Sequence, residues 1–125
     1  MTRQYDLEER LLDYSAKIIR LVERLPKSRA GNHVAGQLLR SGTAALPNHG
    51  EAQSAESSND FAHKISLCLK ELRESHRWLL LIKRVPMISP PEAVGEILAE
   101  TDELIRIFVA SVRTSRMKAA QKKGK

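Results

Sequence analysis

Cysteine occurs once in the 125-residue chain, at Cys68, so no internal disulfide framework holds the fold together. Aromatic side chains are scarce, with one Trp, two Tyr and two Phe. The interleaved aromatics of a single-strand binding surface are therefore missing. No run of 18 apolar residues exists, which argues against a membrane span. Met1 to Arg10 is charged and has no apolar core of a secretory signal, so a cytoplasmic location is expected. Strand-like alternation is absent, and no internal repeat is evident. Metal-binding signatures are missing as well. The four histidines, His33, His49, His63 and His76, form no His-Glu-x-x-His, and the chain contains no Glu-x-x-His at all. Neither a nucleophile elbow nor a phosphate-binding glycine loop occurs. No catalytic residue, metal or cofactor is therefore expected, and the chain reads as a non-enzyme. Cys68 lies within an apolar stripe and reads as an inert buried thiol.

What is present is charge with an uneven distribution. The formal net charge is +6. Arg113 to Lys125 contains Arg113, Arg116, Lys118, Lys122, Lys123 and Lys125 with no acid, so residues 1–112 are formally neutral. The body is itself divided. Tyr14 to His49 holds Lys17, Arg20, Arg24, Lys27, Arg29 and Arg40 against the single acid Glu23, whereas Glu92 to Glu103 has five acids and no base. Opposed fields of this kind steer a polyanion or another copy of the chain.

Helical periodicity runs through the chain. Leu7, Leu11, Tyr14, Ile18, Leu21 and Leu25 recur every three or four residues, and Pro26 ends that stretch. A second helix is expected from about Asn32 to Ala52, rich in small residues that let another backbone come close, and kinked at Pro47. Ser57 and Asp60 form the cap of a third helix of about 25 residues, with Phe61, Ile65, Cys68, Leu72, Ser75, Leu79 and Ile82 on one face. Ser89-Pro90-Pro91-Glu92 reads as the start of a fourth, with Ser89 as N-cap and a stripe from Val94 to Val112. The expectation is all-α: an antiparallel up-and-down four-helix bundle over 1–112, with 113–125 a basic C-terminal tail that frays. The third and fourth helices are apolar beyond a narrow stripe, which calls for cover from another subunit.

Candidate phosphate contacts fall in three sets. Arg113, Arg116, Lys118, Lys122 and Lys123 belong to the tail. Arg24, Lys27, Arg29 and Arg40 form a second set. Arg73 and Arg77, four apart on the third helix, form a third. The competing reading makes these a solvated surface that docks a protein partner without touching nucleic acid.

The run Gln37 to Ala52 carries a resemblance. Gln37, Leu38 and Arg40, a small-residue stretch, Pro47 and Glu51 are similar to the signature of a bacterial four-helix-bundle family. Leu25-Pro26, Phe61, Ser66 and Leu69-x-x-Leu72-Arg73-Glu74 extend the likeness. That family comprises the 23S rRNA intervening-sequence proteins and is related to the accessory variability protein of diversity-generating retroelements. The chain departs from it at Asn48-His49-Gly50-Glu51-Ala52, where the family commonly has an apolar residue and then Ala-Glu-Gly. The resemblance implies an antiparallel bundle that associates as a homopentamer. It also implies ribosomal RNA or another nucleic acid as partner, or a protein partner such as a reverse transcriptase.

Overall fold

A computed structural model describes residues 3–123, with side chains from 7 to 122. It contains α1 (Arg3–Val22), α2 (Arg29–Ala52), α3 (Ser58–Arg84) and α4 (Ala93–Lys123). Each helix packs against its sequence neighbour, and α1 closes on α4. Among the described residues the backbones of the diagonal pairs do not approach one another, so the helices stand at the corners of a square in up-and-down order.

The stripes read from the sequence become the core. Leu11, Ile18, Leu38, Ile65, Leu72, Leu79, Ile82, Leu104 and Phe108 are all fully buried. Half-way along the bundle this apolar column is interrupted by one polar layer with a residue from every helix. Tyr14 on α1 shares a 2.8 Å hydrogen bond with Thr101 on α4, and Ser75 on α3 donates to Ser41 on α2 at 2.9 Å. Thr101 also donates back to the carbonyl of Ile97. No buried side-chain nitrogen or oxygen lacks a partner among the described residues. A satisfied polar layer sets helix register, because any slip would leave buried hydroxyls unpaired.

Close approach of α1 and α2 depends on glycine. A Cβ at Gly42 would lie 2.7 Å from Ile18 Cγ2, inside van der Waals contact. The small residues of α2 thus do what their size suggests. α2 also remains one helix through Pro47, where the Thr43 carbonyl has no amide hydrogen to accept.

Three boundaries differ from the sequence reading. α2 starts at Arg29, three residues early, because Ser28 caps it by accepting from the Gly31 amide at 3.1 Å. α4 starts at Ala93, and Ser89 is not its N-cap. The amides of Ala93, Val94 and Gly95 instead bond to the carbonyls three residues back in a tight turn. The largest difference is at the C-terminus. There α4 continues past Val112 to Lys123. Ser115 and Ala119 are buried there, continuing the Phe108–Val112 stripe at helical spacing with residues too small to register as apolar.

Candidate nucleic-acid interface

The basic residues singled out from the sequence do not form one surface. Arg24, Lys27 and Arg29 are exposed around the α1–α2 connection. Arg24 donates to the Ser89 carbonyl at 3.2 Å, and with Lys17 and Arg20 it borders a shallow groove that also holds Glu96. The acidic start of α4 therefore already faces this set. Ala93 lines the same groove, and Ala93 to Arg116 is about 35 Å of helix at ~1.5 Å per residue. The α1–α2 set and the C-terminal set are thus at opposite ends of the bundle.

Arg40 is in the middle of α2 and is engaged by two carboxylates of α3. It pairs with Glu71 at 2.9 Å and with Glu74. The Arg40 hydrogen bond, then the one from the Trp78 indole N–H, hold the Glu74 carboxyl below the usual carboxylate range. Trp78 also meets the edge of the His33 ring at 5.9 Å. Both side chains are thus occupied inside the α2–α3 seam. A phosphate at Arg40 would have to displace two anions already bound there.

Arg73, Arg113 and Arg116 behave differently. α3 and α4 bring them to the two rims of a single groove of about 470 Å³, whose floor is Leu69, Val109, Val112, Met117 and Ala120. Among the described residues no carboxylate lines it. None of these three arginines takes part in an ion pair among the described residues, and Arg116 reaches the Ser66 hydroxyl at 3.5 Å. Arg77 is exposed one turn beyond Arg73. Lys118 and Lys122 are exposed, but at ~100° per residue they fall on the flank of α4 away from Arg113 and Arg116. Because the expected tail is helix, its charges are divided between two faces. The Lys123 side chain lies outside those described.

The sequence reading passed over the groove floor. Leu69 belongs to the extra apolar strip of the third helix, but Val109 and Met117 look unremarkable in sequence, and only the pairing of α3 with α4 sets all three between arginines. Met117 is 58% exposed.

The other chemistry-bearing residues are engaged in packing. Cys68 is fully buried, its thiol donating weakly to the Ala45 carbonyl at 3.5 Å, and burial pushes its pKa up to about 12. His49 is buried. Its Nδ1 is 3.0 Å from Glu8 and its Nε2 is 3.1 Å from the Gln53 amide. His76 pairs with Asp102 at 3.1 Å. Among the described residues no group of three His, Cys, Asp or Glu side chains is arranged to hold a metal, and no helix is long and apolar enough to cross a membrane.

Comparison with known proteins follows the fold. The family model described as 23S rRNA-intervening sequence protein matches residues 3–110. A crystal structure from Bacteroides thetaiotaomicron, described as a protein with unknown function from the S23 ribosomal protein family, superposes with a TM-score of 0.81. It is 27% identical, and the alignment covers 90% of this chain and 99% of that one. No curated protein matches.

Proposed function

The chain belongs to the 23S rRNA-intervening sequence protein family, and from that premise we propose that it is a non-enzymatic, self-associating, cytoplasmic bundle that binds structured RNA. The observation that supports this most is the groove between α3 and α4. It carries Arg73, Arg113 and Arg116 with no acid among its lining residues, and Arg77 continues the basic strip along α3. Lys118 and Lys122 add positive field on the other flank of α4, and Arg24, Lys27 and Arg29 form a separate contact at the far end. Binding of this type is positional, through phosphates, and several weak contacts add up across subunits. Ribosomal RNA is the first partner to test, given the family. A homopentamer is the assembly proposed from the same resemblance. Leu12 and Ile19 on α1 and Leu39 on α2, all 40–46% exposed, supply apolar surface for a neighbouring copy.

A second reading has one specific observation in its favour. Arg40 is occupied by carboxylates, and Arg24 borders a groove containing Glu96, so part of the basic charge is already balanced. On that reading the bundle is a scaffold that docks a protein, such as a reverse transcriptase, without touching RNA.

Titration of a structured ribosomal RNA fragment from low to about 0.15 M salt separates the two. The expected result is binding that survives at 0.15 M and falls linearly on a log–log plot, with a slope near 0.9 per phosphate contact. Binding confined to low salt would favour the scaffold. Light scattering on the same sample reports the number of copies, five being the expected count.

A further inference from the structure

The α3–α4 groove has a feature that phosphate contact alone does not use: an apolar floor. A fully paired RNA helix presents phosphates, riboses and a shallow minor groove, with its bases stacked inside. Such a ligand would touch the arginine rims and leave Leu69, Val109 and Met117 uncovered. An unpaired base has apolar faces and is free to leave the stack. The volume, about 470 Å³, is in the range of small-ligand sites and well short of a single-strand channel. The chain also lacks the aromatic series that would track several successive bases.

We propose that this groove seats one unpaired nucleotide bulged from a helical RNA, its base on the Leu69–Val109–Met117 floor and its flanking phosphates on Arg73, Arg113 and Arg116. The proposal rests on the RNA-binding reading and names what that surface selects. Each part of the groove has a role in it. The Met117 thioether is polarisable and makes favourable contacts with aromatic rings, and it is half in solvent until something covers it. The guanidinium of Arg113 or Arg116 provides a plane on which a base stacks as well as a phosphate donor. The rims come from different helices, so the arginines straddle the floor and can hold the phosphates on both sides of one extruded nucleotide. Among the described residues no carboxylate in the lining opposes that field. A base seated this way is read by shape and stacking, so a preference for bulges without strong base identity is expected.

Fluorescence anisotropy with three hairpins at about 0.15 M salt tests this: one fully paired, one with a single bulged nucleotide, and one with an abasic bulge at the same place. The bulged hairpin should bind about tenfold more tightly than the paired one, and the abasic bulge should lose most of that gain. Met117→Gln, a neutral change at an exposed position, should cost about fivefold on the bulged hairpin and leave the paired one within twofold. Met117→Leu should retain the preference. Equal affinity for base-containing and abasic bulges, or an equal Met117→Gln effect on all three, would overturn the proposal while leaving the broader RNA reading intact. No binding to any hairpin at this salt would overturn both. A fall in copy number by light scattering on Met117→Gln would mark the groove as a contact between copies and would also overturn the proposal.

Discussion

Gly42 and Gly36 lie six residues apart on α2 and differ in what a methyl group would meet. At Gly42 it would press on Ile18, and at Gly36 nothing lies within 4 Å. Gly42→Ala should therefore destabilise the fold by about 1–3 kcal/mol through overpacking. Gly36→Ala should stabilise it by about 0.4–1 kcal/mol by restricting the unfolded chain. Thermal denaturation of the two variants gives shifts of opposite sign. Two buried acids predict the alkaline limit. Burial raises the Tyr14 phenol from 10.0 to about 12 and the Cys68 thiol from 9.0 to about 12. The unfolded chain loses both protons first, so stability holds below about pH 9 and is lost as pH rises toward 12. Cys68→Ala should flatten the lower part of that decline in denaturant titrations followed across pH 8–11. An unchanged slope would mean that the thiol is not desolvated.

At the scale of elements, α4 is the decisive one. Its first half is acidic and tied to neighbours through Arg10–Glu100 at 2.7 Å and His76–Asp102. From Leu104 onward it contains no acid. Helical order through Ala119 turns that second half into a rigid rim of the groove. Amide hydrogen exchange should show protection continuing past Val112 to about Ala119, where a frayed tail would exchange at the unprotected rate. The α2–α3 seam gives a contrasting expectation. Arg40→Ala removes an exposed arginine already held by Glu71 and Glu74, so RNA affinity should change by less than twofold. Arg73→Ala or Arg116→Ala should each weaken binding several-fold and lower the salt slope by about one. Thermal denaturation should show little change for any of the three, since the Arg40 pairs are exposed and Arg73 and Arg116 take part in no ion pair among the described residues.

For the whole molecule, the two basic ends are about 35 Å apart along the bundle axis. A single short RNA helix segment of one turn cannot span both. Separate contacts at two ends suit a long or folded RNA, or several copies arranged around it. Combining Arg24→Ala with Arg116→Ala should then multiply their separate effects on a long fragment, because sites so far apart act independently. On a short hairpin only Arg116→Ala should matter. Equal effects of both substitutions on the short hairpin would contradict the two-ended arrangement.

The local rules of the chain alone determined the four helices, their apolar stripes and the cap at Ser57. Spacing, proline and side-chain size act within a few residues and are visible without any partner element. Pro26 and the Leu7–Leu25 repeat needed nothing beyond themselves. Other features needed the third dimension. Small residues left no hydrophobic signal at Ser115 and Ala119, so the end of α4 was decided by their burial in the bundle. Likewise, Arg40 and Arg116 are the same residue type, and their sequence neighbourhoods do not say which is spoken for. The pairing of α2 with α3 put two carboxylates on Arg40. The pairing of α3 with α4 put Arg73, Arg113 and Arg116 around an acid-free apolar floor. Charge totals are set by sequence, but whether a charge is satisfied depends on what the packing brings within a few ångströms of it.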